Sequence, residues 1–169
     1  MKFEIPYGKT TVSVEIDEKR VLGVLIPNEL SVERNGLEAL DWSLDHPIAS
    51  ERLEDLCVPG ERVVIVTSDI TRPVPSAVIL PRLLERLSRA GIPDRDITLV
   101  FALGSHRKHT PAEMETLAGK DVYNRIRCID SDTSECQYVG TSSRGTNYAL
   151  FKDVVNADRV ICIANIEYH

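Results

Sequence analysis

The sequence predicts an α/β fold, a parallel sheet carrying a small β-rich extension at its N-terminus. Three observations predict it. Apolar residues alternate with polar ones between Phe3 and Ile16, as in a half-buried hairpin. From Pro59-Gly60 onward, short β-branched runs alternate with stretches of helical spacing. The composition, 43% hydrophobic, 27% charged and 5% aromatic in 169 residues, is that of one soluble globular domain, at most two small ones, with enough apolar side chains for a sizeable core.

The elements follow in order. Phe3, Ile5 and Tyr7 precede Gly8-Lys9, and Val12, Val14 and Ile16 follow it, which predicts a β-hairpin. A third short strand is expected over Val21 to Ile26, ended by Pro27-Asn28. Residues Leu37 to Leu56 have helical spacing, with Leu37, Leu40 and Leu44 on one face, and Pro47 divides them into two helices. Val63 to Thr67, Ile97 to Leu103 and Val160 to Ala164 are continuous apolar or β-branched runs, the pattern of strands covered on both faces. Between the first two, Leu80, Leu83, Leu84 and Leu87 mark a helix stopped by Gly91 and Pro93; Pro81 either kinks it or marks its start. Thr110-Pro111-Ala112-Glu113 is a capping box with proline at the first helical position, so a helix starts there and runs to about Gly119. Further strands are expected at Ile126 to Asp130 and Gln137 to Thr141, and a short helix near Lys152 to Ala157. The whole is a Rossmann-like sheet over 59–169 preceded by a β-rich extension over 1–30.

Several function classes are excluded at this level. Twenty Lys plus Arg against 26 Asp plus Glu give a net charge of −6, with no basic run, which argues against nucleic acid and anionic membrane as partners. The apolar runs are far shorter than the roughly 20 residues of a spanning helix, and the N-terminus lacks a signal-peptide core, so a cytoplasmic location is expected. Cys57, Cys128, Cys136 and Cys162 form no Cys-x-x-Cys pair; Cys57 and Cys162 read as buried small hydrophobes. The glycines never fall in a Gly-x-Gly-x-x-Gly pattern, which weakens a dehydrogenase reading.

In an open parallel sheet, ligands bind beyond the carboxyl ends of the strands. Three loops leave such ends: Ser68-Asp69-Ile70-Thr71-Arg72-Pro73-Val74-Pro75, Gly104-Ser105-His106-Arg107-Lys108-His109-Thr110, and Asn165-Ile166-Glu167-Tyr168-His169. Asp69 and Arg72, three apart on a proline-stiffened loop, offer an acceptor and a guanidinium fork suited to a carboxylate or phosphate. They equally suit a capped turn and a surface ion pair. His106, after a glycine that permits a tight turn, is placed to move a proton near neutral pH, or is an exposed loop histidine without a role. His109 is expected to be solvated, and His46 to be structural or at the surface. A chain that stops at His169, just past a core strand, reads as truncated.

Ser68 to Pro73, Gly104 to Arg107, Thr141-Ser142-Ser143-Arg144-Gly145-Thr146 and Asn165 to His169, in this order along essentially the whole chain, resemble the N-terminal half of the nickel-dependent lactate racemase family. The resemblance implies a two-domain isomerase with its active site between the domains, and a nickel pincer nucleotide tethered to a lysine as cofactor. It implies that His106 and His169 match the two catalytic histidines, one for each enantiomer, and that Asp69 and Arg72 match active-site positions, with Arg72 holding the substrate carboxylate. In the chemistry so implied, a histidine takes the hydroxyl proton of lactate while the α-hydrogen leaves as hydride to the cofactor, and return to the other face inverts the centre.

The family's tethering lysine, nickel-binding histidine and second domain have no counterpart in this sequence. The resemblance therefore implies that the chain by itself binds no cofactor and is inactive, that its partners are a small 2-hydroxy acid and the missing C-terminal portion, and that no residue here is a metal ligand. An epimerase of another α-hydroxy acid, and a non-catalytic α/β module binding an anion or a partner chain, remain alternatives.

Overall fold

A computed structural model of the chain describes residues 1–29 and 31–166, so His169 lies outside the described residues. The chain divides into two compact units, Met1–Glu33 and the remainder from Arg34 onward.

In the first unit, β1 (Lys2–Tyr7) and β2 (Thr10–Glu15) pair antiparallel, with Tyr7 opposite Thr10 across the Gly8-Lys9 turn. Gly8 has φ 59°, the left-handed conformation that tight hairpin turns require and glycine adopts at little cost. A 3-10 turn over Glu18–Arg20 follows, its start capped by the Asp17 carboxylate accepting from the Lys19 N–H at 3.0 Å. The strand expected over Val21 to Ile26 does not form: residues 21–29 carry no regular secondary structure, and Leu22, Leu25 and Ile26 are exposed. A β-branched run becomes a strand only when a neighbour accepts its ladder hydrogen bonds, and no described strand pairs with this one.

The second unit begins with α1 (Gly36–Asp45) and α2 (Leu53–Leu56), on either side of Pro47 as expected. Leu40 and Leu44 are half-buried, but Leu37 is exposed. His46 is held locally: its ring stacks on Trp42, and its Nδ1 lies 2.8 Å from the Trp42 carbonyl.

A four-stranded parallel sheet follows, built from β3 (Val63–Ser68), β4 (Ile97–Ala102), β5 (Arg127–Asp130) and β8 (Arg159–Cys162) in the order β5-β4-β3-β8. The strand alternation divides the core between the two faces. Val63, Ile65, Leu99 and Phe101 pack with Leu80, Leu84, Leu87, Leu117 and Val122 from the helices α3 (Ser76–Arg89), α4 (Pro111–Ala118) and α5 (Lys120–Arg125). On the opposite face Val64 and Val100 pack with Phe151, alongside Val154 of α6 (Lys152–Val155). The third apolar run departs from expectation. Among the described residues β8 is an edge strand, half-covered, with Val160 and Cys162 exposed, so Cys162 is not a buried hydrophobe, whereas Cys57 is buried.

α3 begins at Ser76 and runs through Pro81, which lies with Ala77 on the exposed face, so the backbone bond that proline cannot make is lost away from the core. Its end is a Schellman motif: the Ile92 N–H donates to the Leu87 carbonyl at 2.9 Å and the Gly91 N–H to Ser88 at 3.0 Å, with Ile92 and Leu87 both buried. Beyond β5, β6 (Cys136–Thr141) pairs antiparallel with β7 (Asn147–Phe151), a strand the sequence pattern did not indicate. The Thr141–Thr146 segment makes the reversal, the Ser142 N–H bonding to the Thr146 carbonyl at 2.8 Å.

The strand order fixes where a ligand can enter. From β3 the chain moves outward to β4 and β5, and β8 then lies on the other side of β3. The strand order thus reverses between β3 and β8, and in open parallel sheets the crevice beyond the carboxyl ends at such a point is where ligands bind.

Candidate active site

At that crevice lies a cleft of about 460 Å³, walled by the ends of β3 (Val66 to Ser68), β4 (Ala102 to Gly104) and β8 (Cys162 to Ala164), with Asp69, Arg72 and His106 on its lining. Asp69 follows directly on β3 and is buried at 4% exposure, because the chain turns there to start the loop to α3. The turn is closed by the Arg72 N–H donating to the Asp69 carbonyl at 3.2 Å. His106 is reached from β4 through Gly104, whose φ of 58° permits the tight turn in which the His106 N–H donates to the Leu103 carbonyl at 3.0 Å.

These two turns bring a carboxylate and an imidazole together. His106 Nδ1 lies 2.5 Å from Asp69 Oδ2 and 3.1 Å from the Thr71 hydroxyl oxygen. The Thr71 hydroxyl and its backbone N–H both donate to Asp69 Oδ1, at 2.8 and 3.2 Å. The hydroxyl proton is thus already used on the carboxylate, and both oxygens facing Nδ1 act as acceptors. Nδ1 carries the imidazole proton, and Nε2 has a free lone pair. The ring is 49% exposed while its carboxylate partner is only 5% exposed, so the basic nitrogen belongs to a group at the open side and its anchor to the closed side. Burial works against ionisation of Asp69, but the Thr71 hydroxyl and the His106 ring outweigh it and hold the carboxyl below its usual range. An anionic carboxylate behind an imidazole fixes its tautomer and stabilises the imidazolium formed when it takes a proton.

Arg72, on the same loop, lines the same cleft from its exposed side. Asn165, beyond β8, donates from Nδ2 to the Pro73 carbonyl at 3.3 Å, tying the loop after β8 to the one after β3.

His109 corrects the sequence reading. It is not solvated: its side chain is 1% exposed, edge-on to Phe101 with ring centroids 5.3 Å apart, and both of its ring nitrogens are engaged. Its position just before the cap of α4 was the available signal, since the residue preceding a capping box commonly turns inward. The capping box itself is formed, with Thr110 accepting from the Glu113 N–H at 3.3 Å and Glu113 from the Thr110 N–H at 2.8 Å. The Arg107 guanidinium and the Thr110 N–H hold the Glu113 carboxyl down to about 2.

A second depression, at the amino ends of the strands, is lined by Arg62, Arg95, Arg127 and Lys152. These cations are matched by Asp158, Asp96, Asp153 and Glu135 at 3.0, 4.0, 2.5 and 2.6 Å, which leaves no excess charge for an anion. Among the described residues no cluster of three or more His, Cys, Asp or Glu side chains is arranged to hold a metal ion, and no helix is long and apolar enough to cross a membrane.

Fold and site together define the class: an open parallel α/β domain with a carboxylate-backed imidazole at the switch point of its sheet. Comparison with known proteins narrows this. Residues 7–169 match the family model described as the lactate racemase N-terminal domain, and the chain belongs to that family. It is 35% identical to the lactate racemase of Lactiplantibacillus plantarum and 33% identical to that of Thermoanaerobacterium thermosaccharolyticum, in each case over 98% of this chain and 40% of the relative. The chain thus spans about two fifths of the length of these curated relatives. Among solved structures it resembles the lactate racemase apoprotein from Thermoanaerobacterium thermosaccharolyticum, with a TM-score of 0.74 at 29% identity over 96% of this chain and 38% of that one.

Proposed function

We propose that this chain is the N-terminal part of a racemase of lactate or a closely similar small 2-hydroxy acid, and that it supplies one acid/base histidine and the carboxylate anchor of the active site. The Asp69–His106 pair at the sheet's switch point carries the reading, in a chain whose relatives are lactate racemases. Inverting a 2-hydroxy acid requires a group that takes the hydroxyl proton as the carbonyl forms and returns it as the alkoxide is rebuilt. His106 Nε2, with Asp69 behind Nδ1, is such a group. Arg72 offers a planar fork to the carboxylate that both enantiomers share, so it orients either without preferring one. His169, which lies outside the described residues, serves as the second acid/base, as the resemblance implies.

In this proposal the nickel pincer nucleotide, when bound, supplies the acceptor and donor for the α-hydrogen. Gly104, on the lining of the cleft, leaves open space where a side chain would stand, which is compatible with a flat ring beside the His106 loop. This chain's own work is to hold the carboxylate at Arg72, to move the hydroxyl proton at His106 Nε2, and to keep Asp69 ionised. A cytoplasmic setting belongs to the same proposal and accords with the free thiols of Cys57, Cys128, Cys136 and Cys162.

The test is conversion of pure L-lactate to D-lactate, and the reverse, by the complete cofactor-loaded protein that contains this chain. Interconversion in both directions is expected. A loaded protein that leaves both lactate enantiomers unchanged would contradict the proposal.

A further inference from the structure

We propose that His109 and Asp130 are positioning residues that set the geometry of the Asp69–His106 pair; the inference rests on His106 being the acid/base group. His109 Nε2 accepts the backbone N–H of Ile70 at 3.0 Å, so that nitrogen carries no proton. The proton lies on Nδ1 and is donated to Asp130 Oδ1 at 2.6 Å, while Asp130 Oδ2 accepts the His109 backbone N–H at 2.8 Å. Asp130 is the last residue of β5, and its side chain is 6% exposed. His109 is therefore a buried, neutral imidazole with one tautomer and with every ring hydrogen-bonding group used.

The consequence lies in what these bonds connect. Ile70 shares a peptide bond with Asp69, and His109 shares a short loop with His106. The Asp69–His106 bond, the 106–109 loop, the His109–Ile70 bond and the 69–70 peptide close a ring. Asp130 fastens that ring to the end of β5, where the Leu103 N–H also donates to the Ser131 hydroxyl at 3.0 Å. The loops leaving β3 and β4 are thus pinned to each other and to β5 from below, while His106 and Arg72 reach the exposed side. Releasing Ile70 from His109 frees the 69–70 peptide to rotate. A rotation that moves the Asp69 carboxylate by about 1 Å takes its bond to His106 outside hydrogen-bonding range.

The readout is the protonation pattern of the two rings by nitrogen NMR on this chain, at a pH where His106 is neutral. In the parent, both His106 and His109 are expected as the Nδ1–H form. Two substitutions separate the two bonds of His109. His109→Gln places an acceptor near the Ile70 N–H and is expected to keep His106 in the Nδ1–H form. His109→Asn keeps a donor toward Asp130 but leaves the Ile70 N–H unpaired. In it, Ile70 amide exchange should quicken on the order of tenfold, and His106 should shift toward the Nε2–H form that unconstrained imidazoles favour.

A merely structural role would lower stability in both variants and leave the His106 tautomer of the folded chain alone, and that result would overturn the inference. Should the variants not fold, the parent still decides, because a proton found on Nε2 of His109 contradicts the arrangement outright. The functional reading fails separately: a complete enzyme without racemisation whose chain still shows the tautomer coupling would defeat the proposed activity and leave the positioning role standing.

Discussion

Replacing Asp69 with asparagine exchanges one oxygen for an NH₂ group with almost no change of shape, so its effect follows from hydrogen-bond polarity alone. The substituted side chain can keep its carbonyl oxygen on the Thr71 side, where the N–H at 3.2 Å and the hydroxyl at 2.8 Å both donate. The amide nitrogen then faces His106 Nδ1, which is 2.5 Å from an acceptor in the parent. Two donors cannot share that line, so the imidazole proton moves to Nε2 and Nδ1 becomes the acceptor. His106 then has no lone pair toward the cleft.

The cost to folding is small, about 1 kcal/mol, since a charge-assisted bond is exchanged for a neutral one and no buried group is orphaned. The cost to catalysis is large: losing a general base held in the right tautomer is worth about 10²–10⁴-fold in kcat. The assay is the initial racemisation rate of the complete enzyme from each pure enantiomer, with thermal unfolding of the same samples as the control. An Asp69→Asn enzyme within a few-fold of the parent, with parental stability, would refute the reasoning and leave Asp69 as a turn-forming residue.

Other outcomes follow from the same geometry. Arg72→Lys keeps the charge and loses the planar fork, so kcat/KM should fall roughly tenfold to a hundredfold and equally for both enantiomers; a loss confined to one enantiomer would contradict its assignment to the shared carboxylate. Glu113 is held down to about 2 from 4.5, chiefly by Arg107, so its contribution to stability is fully present above 4.5 and is lost as pH falls through about 2. The difference in unfolding temperature between the parent and Glu113→Gln should therefore shrink across that window; a difference that is constant with pH would refute the linkage. The isolated 169-residue chain is expected to show no racemisation and no tightly held nickel; stoichiometric, chelator-resistant nickel on the purified chain would contradict this.

Much of this could be read from residue order because local rules and tertiary structure agree over most of the sheet. Val63 to Thr67 and Ile97 to Leu103 are runs that only a covered strand accommodates, and the Thr110 capping box and the Gly91 stop mark helix ends by local hydrogen bonding. The misreadings fall where a neighbour decides. Val21 to Ile26 has strand composition but no described pairing partner, and β8 has the sequence of a central strand but lies at the sheet's edge. Asp69, Arg72 and His106 were legible from their places at strand exits, and the cleft brings them together. His109 was misread as solvated because its place just before the capping box, the one local sign that it turns inward, was passed over, and the bond that holds it runs to a backbone group 39 residues away.

The central claim is that His106 moves the substrate proton, and a single substitution tests it most directly. In the complete, cofactor-loaded enzyme, His106→Ala should slow racemisation by at least about 10²-fold from either pure enantiomer, because a full turnover in each direction uses this group once to take or to return the hydroxyl proton. A His106→Ala enzyme that racemises at near the parental rate from either side would contradict the account and leave His106 as an exposed loop residue beside Asp69.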